Sequence, residues 1–372
     1  MSKKTIAIVI NTSWNIYNFR LGLLSALGDE GYRLVLIAPR DDYSQKLVDL
    51  GFEYHEIKIN NKGTNPFQDL LLVWRFSRLY KKLGVDVVLQ YTIKPNIYGT
   101  LGAKLAGVSV INNISGLGTV FLNDGLASKV ARFLYRFSLR FADKVFFQNP
   151  HDKKLFIEKK LVKENKTGLL PGSGINLAKF RPVQHKSEVF VFLFVARMIK
   201  DKGVVEYIQA AQELVQKERK TRVEFWLLGD LYEANPTAIS QKQLDKWTEL
   251  PEIKYLGHAD DVACVMNKAD CVVLPSYREG LSRVLLEAAA LAKPIITTNV
   301  PGCMDVVDDG VNGFLCKVKS SHDLSVQMNK VLALDNQQLL AMGKKGRAKV
   351  ENEFDKNIVI DAYLKQIKSL VD

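Results

Sequence analysis

The feature that most constrains this chain is an alternation, met twice along its length, between short unbroken apolar runs and segments of helical period. In the first half the runs fall at 5–10, 33–38, 54–57, 86–90, 110–113 and 144–148, with helical patterns between them at 19–27, 66–83 and 96–106. In the second half the runs fall at 189–196, 223–228, 254–256, 271–274, 294–298 and 313–317, with helices at 204–216, 261–267 and 283–291 and further helices to the end. Strands that are apolar at every position are buried on both faces, as in a parallel sheet covered by helices. The fold class is therefore α/β, as two Rossmann-like, doubly wound domains expected to face each other across a cleft at the carboxyl ends of their strands. No sequence repeat is visible; only the architecture recurs. Residues 177–187, with Pro182 and clustered polar side chains, read as a linker. That gives an N-terminal domain over 1–184 and a C-terminal domain over 185–355, with a last helix at about 356–372 packing back on the first.

Composition narrows the class. With 372 residues, 47% hydrophobic and 25% charged, the chain has enough apolar sequence for two cores and is no collagen, low-complexity or disulfide scaffold. The longest wholly apolar run, 189–196, is too short to span a bilayer as a helix. The first residues carry two lysines and a short apolar stretch, which reads as a strand and not as a secretory signal. The four cysteines, Cys264, Cys271, Cys303 and Cys316, sit singly with no C-x-x-C, so a reduced, cytoplasmic protein without a zinc site is expected.

Charge is unevenly spread. Residues 1–184 hold 27 Lys and Arg against 14 Asp and Glu, whereas residues 185–372 hold 25 against 26. A polyanionic partner of the first domain follows, either nucleic acid or an anionic membrane surface. No helix-turn-helix, RNP or zinc-finger pattern is present, so no nucleic-acid partner is expected. Residues 126–142 place Lys129, Arg132, Arg136 and Arg140 on one helix face, with Phe133, Phe137 and Phe141 beside them. Two readings fit: a helix lying in a membrane interface, or a helix with a buried aromatic face and a solvated basic one.

Chemistry concentrates in the second half. In LPSYREGLSRVLLEAAALAKPIITT (274–298) a strand ends at Pro275, a turn carries Glu279 and Gly280, and a helix starts near Arg283 with Glu287 in its second turn. Free amides after such a turn bind anionic oxygens, and a carboxylate on the helix accepts from ribose or sugar hydroxyls. The spacing alone also fits two solvated surface glutamates. In FVARMIKDKGV (194–204) Arg197 follows a strand end and Lys202 opens the next helix, as a diphosphate clamp would or as ordinary surface cations would. Three further turns stand out, at Gly172–Gly174 in LLPGSGIN, at Gly229 in LLGDL and at Gly257 in YLGHADDV.

Taken in order, PGSGIN, VAR, KG, LLGD, YLGH, LPSYREGLSRVLLEA, KPIITT, VPG and GVNGFL resemble the retaining glycosyltransferases of family 4, which have the GT-B fold. The resemblance covers essentially the whole chain and is strongest over 169–318. Through SWNIYNFRLGLLSAL, GLGTVF and FVARMIK, the chain looks most like bacterial enzymes that extend a sugar on undecaprenyl diphosphate in O-antigen, capsule or glycan assembly. The resemblance implies that Arg197 and Lys202 hold the donor diphosphate, Glu287 the ribose hydroxyls and Glu279 the donor sugar, with Gly280, Leu281 and Ser282 presenting amides. It also implies that Gly229 and the loop to His258 cradle the base, with Gly174 counted among the donor-binding residues.

On the N-terminal side a loop over 12–17, with Asn15, is expected to approach sugar or phosphate. The family often carries a histidine after its fifth strand. This chain has Asn113, Ser115, Gly116, Leu117 and Gly118 there, and Asn113, Ser115 and the amides of Gly116 and Gly118 are the expected substitutes. With no D-x-D at a strand end, two protein cations stand in for Mg²⁺, so neither a metal nor another cofactor is expected. The expected partners are a nucleotide-sugar donor (UDP-linked), a lipid-linked sugar acceptor and the inner face of the cytoplasmic membrane. A nucleotide-sugar epimerase on the same fold and a non-catalytic sugar-nucleotide-binding subunit are the alternatives.

Overall fold

A computed structural model describes residues 3–60, 65–117, 125–183, 188–216, 222–232 and 235–371. The chain divides into two compact units, Met1–Gly174 with Lys356–Asp372, and Ile175–Asp355. In the first, seven parallel strands run β1 Thr5–Val9, β2 Arg33–Ala38, β3 Glu53–Glu56, β4 Val87–Tyr91, β5 Ser109–Ile114, β6 Lys144–Phe147 and β7 Thr167–Leu169, in the order β3-β2-β1-β4-β5-β6-β7. In the second, six parallel strands run β8 Val189–Val195, β9 Arg222–Leu228, β10 Ile253–Gly257, β11 Cys271–Leu274, β12 Ile295–Thr298 and β13 Gly313–Cys316, in the order β10-β9-β8-β11-β12-β13.

The apolar runs do what their composition demands. Every residue of β1, β4, β11 and β12 is buried, as strands covered on both faces are. One face of the first sheet packs on Leu72, Phe76, Tyr80, Tyr135 and Leu139. The other packs on Leu24, Leu27, Val359, Tyr363 and Ile367, so the terminal helix Lys356–Val371 is part of the first unit's core.

Four expectations are corrected. The unit boundary lies at Gly174/Ile175, not at 184/185, and residues 184–187 fall outside those described. The segment read as linker is already anchored: Ile175 donates its amide to Phe354 O at 2.8 Å, Ile175 and Phe180 sit in the second core, and Arg347 Nη1 donates to Phe180 O at 2.7 Å. The stretch 12–17 is not a loop but enters the helix Ser13–Phe19, and a second helix, Leu21–Asp29, follows. Asp41 makes that start possible by accepting from Ser13 N at 2.8 Å and Trp14 N at 3.2 Å, a cap supplied from another loop. The helix expected at 96–106 opens as one π-helical stretch, Pro95–Gly99, before Thr100–Ala106.

Candidate active site

In the second sheet the strand order reverses between β8 and β11, because β9 lies outside β8 and β12 outside β11. The loops leaving such neighbouring strands diverge, and ligands of doubly wound sheets bind where they part. The loop after β8 carries Arg197, exposed, with its Cζ 4.9 Å from the ring centroid of Tyr232, and then Lys202 at the end of a short 3₁₀ turn. The loop after β11 carries Glu279. Lys202 Nζ and Glu279 Oε1 form an ion pair between the two loops, both side chains being mostly buried. The loops are also stitched through backbone, since Tyr277 N donates to Asp201 O at 2.9 Å. Gly203, at φ +76°, lets them approach: a Cβ there would stand 2.1 Å from Pro275 O.

The second loop is held from behind by Pro301 and Gly302. Glu279 N donates to Pro301 O at 3.3 Å and Ser282 N donates to Gly302 O at 2.9 Å. This corrects one expectation, because the Ser282 amide is already committed to the protein. Gly280 and Leu281 lie on the same turn, and the Leu281 amide has no partner among the described residues. The helix Arg283–Ala290 then begins with no side-chain cap from Ser282, leaving its positive end to an anion. Glu287 projects from this helix and pairs through Oε1 with Arg283 Nε at 2.9 Å. Burial raises the Glu287 pKa above its ordinary value, while Arg283 and Lys179 pull the other way.

The flanking strand ends complete this edge. Gly229, at φ +139°, abuts Ala196 O, where a Cβ would stand at 2.0 Å, and its amide donates to Gly257 O at 2.8 Å. His258 follows, exposed, with Nδ1 3.2 Å from Asp230 Oδ2 and Nε2 3.6 Å from Asp260 Oδ1. Arg197, Lys202, Glu279, Gly280, Leu281, Glu287, Gly229 and His258 thus all lie at the carboxyl end of one sheet or on the helix that follows its fourth strand. Tyr277, whose hydroxyl donates to Glu206 Oε1 at 2.6 Å, and Gly302 belong to the same constellation and carried no signal beyond the motifs they sit in.

The first unit treats its expected residues differently. Asn113 is fully buried and committed: its Nδ2 donates to Tyr363 Oη at 3.0 Å, its Oδ1 accepts from Gln148 at 3.3 Å, and its carbonyl accepts from Asn96 at 2.9 Å. It fastens the terminal helix to β5, which corrects its expected sugar contact. Ser115 is exposed and Gly116 adopts φ +134° at the same strand end, while Gly118 lies outside the described residues. Gly174 is the last residue before the chain enters the second unit. Its φ of +68° and the Lys356 Cα that a Cβ would meet at 2.3 Å give it a packing reason where the chain leaves the first unit. Asn15 lies on the helix Ser13–Phe19 with its Oδ1 buried and unpartnered among the described residues. Nearby in sequence, Arg20 is buried with its guanidinium 4.2 Å from the Tyr91 ring centroid, a cation that periodicity did not single out.

The basic helix Leu126–Ser138 buries Tyr135 and Ser138, with Leu139 beyond its end, and leaves Phe133 68% and Phe137 40% exposed. Phe133 and Phe137 therefore face outward with the cations, while Tyr135 faces the core. Lys129, Arg136 and Arg140 are exposed and Arg132 is half-buried. Among the described residues no group of three or more His, Cys, Asp or Glu is placed to hold a metal, and no helix is long and apolar enough to cross a membrane.

Comparison with known proteins bears on the family and the fold. The model of glycosyl transferases group 1 matches residues 177–349, and that of glycosyl transferase 4-like domains matches residues 5–149. The chain is 30% identical, over 97% of both chains, to N,N'-diacetylbacillosaminyl-diphospho-undecaprenol alpha-1,3-N-acetylgalactosaminyltransferase of Campylobacter jejuni. It is 26% identical, over 79% of this chain and 78% of the relative, to UDP-Gal:alpha-D-GlcNAc-diphosphoundecaprenol alpha-1,3-galactosyltransferase of Escherichia coli. Among solved structures, a glycosyltransferase from Rickettsia africae shares the fold over 100% of both chains at TM-score 0.81 and 18% identity. Anabaena HepE in complex with UDP and glucose shares it over 98% of this chain and all of its own, at TM-score 0.79 and 19% identity.

Proposed function

Because the chain belongs to glycosyltransferase family 4, the retaining enzymes of the GT-B fold, we propose that it moves a hexose or N-acetylhexosamine from a UDP-sugar to a sugar carried on undecaprenyl diphosphate. The observation that carries this reading is the β8/β11 switch point, where one loop supplies Arg197 and Lys202 and its neighbour supplies Glu279 ahead of an uncapped helix N-terminus. Two cations and a helix dipole suit a diphosphate, and carboxylates suit sugar hydroxyls. In the transfer, the bond from sugar C1 to the diphosphate oxygen breaks and the acceptor oxygen bonds to C1 from the same face. The acceptor's proton passes to the leaving diphosphate, whose growing charge Arg197 and Lys202 stabilise. Lys202 must exchange Glu279 for phosphate on the way, which frees the Glu279 carboxylate to accept from the sugar. Diphosphate and sugar recognition are thereby one event. Glu287 takes the ribose hydroxyls, and the turns at Gly229 and His258 take the base.

The names of the two bacterial relatives support the acceptor class, since both specify a diphosphoundecaprenol-linked sugar and an alpha-1,3 linkage. An α product from an α-linked UDP-sugar is retention. A lipid-bound acceptor brings the enzyme to the inner face of the cytoplasmic membrane, with Lys129, Arg132, Arg136 and Arg140 toward anionic lipid. Arg136 and Arg140 also line a groove with Lys160, Lys163 and Lys166, a cluster suited to phosphate.

The test is turnover of UDP-N-acetylgalactosamine, UDP-galactose and UDP-glucose with a synthetic undecaprenyl-diphosphate-linked sugar in the presence of EDTA. One donor should give an α-linked product, with EDTA changing the rate by no more than about twofold. A β-linked product, or donor consumed without transfer, overturns the reading. Abolition by EDTA with rescue by Mg²⁺ overturns its metal-independent part.

A further inference from the structure

The helix Pro66–Leu83 turns outward a face that the proposed transfer does not use, and its side chains are sorted along the axis and not around it. Phe67, Leu70, Leu71 and Trp74 are 85%, 70%, 42% and 54% exposed, and their spacing puts them on one face. The next two turns of that face carry Arg75, Arg78, Lys81 and Lys82, all exposed, while Leu72, Phe76, Tyr80 and Leu83 fill the core behind. The apolar turns are properly started, since Pro66 is the first helical residue and Asn65 Oδ1 accepts from Phe67 N at 3.0 Å. Beside the helix, Lys58 joins Arg75, Arg78 and Lys82 around a groove of about 490 Å³ floored by Ile57 and Leu79. The Arg78 guanidinium lies 5.3 Å from the Trp74 ring centroid, and the one acid at the rim, Glu56, has Arg40 at 3.7 Å.

Large exposed apolar side chains want a dry partner, and the cations behind them want an anionic one. Both demands are met in a bilayer, where acyl chains and phosphates are layered in the same order as these residues. The apolar stretch from Phe67 to Trp74 spans about 10 Å at 1.5 Å per residue, close to the depth an interfacial element reaches. We propose that this helix is a wedge in an anionic bilayer. Phe67, Leu70, Leu71 and Trp74 enter the acyl boundary, and Lys58, Arg75, Arg78 and Lys82 hold phospholipid phosphates in the groove. The inference deepens the membrane reading given above and rests on it. The helix packs on the segment Pro95–Ala106, as does the basic helix Leu126–Ser138 through its start, so two membrane contacts share one layer of the first unit.

The test uses the full chain with Cys264→Ser, which removes the exposed thiol and leaves three buried ones. A solvatochromic dye is attached at Leu70→Cys or, separately, at Phe133→Cys. Vesicles of phosphatidylglycerol with phosphatidylcholine should shift the residue-70 dye to the blue, while phosphatidylcholine alone or inorganic phosphate should not. Arg75→Glu/Arg78→Glu/Lys82→Glu should weaken partition onto the anionic vesicles by about tenfold or more. A residue-70 dye that stays aqueous while the residue-133 dye enters lipid overturns the wedge and leaves docking by the basic helix intact. If neither dye enters and the protein does not sediment with vesicles, the wedge and the membrane reading fall together. A lipid-free dimer that Leu70→Ser/Trp74→Ser abolishes would make the face a contact between copies, which also overturns the wedge.

Discussion

A lysine whose ammonium holds a carboxylate is not yet holding a phosphate, so the Lys202–Glu279 pair sets what substitution at either cation should do. Lys202→Ala and Arg197→Ala should each lower turnover roughly 100-fold, the scale of losing one group aimed at developing charge. Near-normal rates in steady-state assays would remove the clamp. Glu287 offers a test by pH. Burial raises its pKa, so between its ordinary value of 4.5 and the folded value the native state binds more protons than the unfolded one. Its contribution is therefore most favourable below pH 4.5 and is lost as pH rises through the folded pKa. Glu287→Gln should gain melting temperature over wild type as pH rises from 4.5 and then level off, while donor affinity falls. Thermal unfolding across pH with and without UDP checks both, and a pH-independent difference would count against burial as the cause. Residues such as Arg197, Glu279 and Glu287 were legible because each stands a fixed step from a strand end or helix start. The partners were not. Glu279 lies 77 residues from Lys202, and the Tyr363 hydroxyl that claims Asn113 comes 250 residues later.

Elements follow the same division between local and distant causes. The long buried strands and the helix Pro66–Leu83 were legible from period alone. The three-residue strand β7 was not, because Thr-Gly-Leu has no period and is held only by pairing to β6. The start of the helix Ser13–Phe19 was hidden because its cap, Asp41, belongs to the loop after β2. Close packing of the two donor loops rests on Gly203, and two glycines separate strain from collision there. Gly203 and Gly107 have nearly the same φ, +76° and +75°, but a Cβ meets Pro275 O at 2.1 Å in the first and nothing within 4 Å in the second. Gly107→Ala should cost only the backbone term, about 1–2 kcal/mol. Gly203→Ala should lower the melting temperature further and abolish the stabilisation that UDP confers, since the β8 loop must back away from β11. Equal shifts for the two variants, with the UDP response kept, would show that the loops do not need this contact.

At the scale of the whole molecule, the charge asymmetry sharpens once the true boundary is used. The first unit, with its terminal helix, holds 28 Lys and Arg against 16 Asp and Glu, and the second holds 24 of each. The entire excess of +12 therefore belongs to the unit that carries Lys129, Arg132, Arg136 and Arg140 beside the exposed Phe133 and Phe137. At about 1 kcal/mol per basic residue near an anionic surface, these four cations would hold the protein on lipid, but only while salt leaves their field unscreened. Wild type should accordingly sediment with anionic vesicles at low ionic strength and be released at high salt. Arg132→Glu/Arg136→Glu/Arg140→Glu should lower the low-salt partition by about 100-fold or more, because each reversal removes an attraction and adds a repulsion. Apolar burial alone would survive salt, so release by salt distinguishes the charge stripe from the phenylalanines as the main hold. Wild type indifferent to anionic vesicles at low salt, or a triple variant binding as well as wild type, would leave this helix an ordinary amphipathic cover of its sheet.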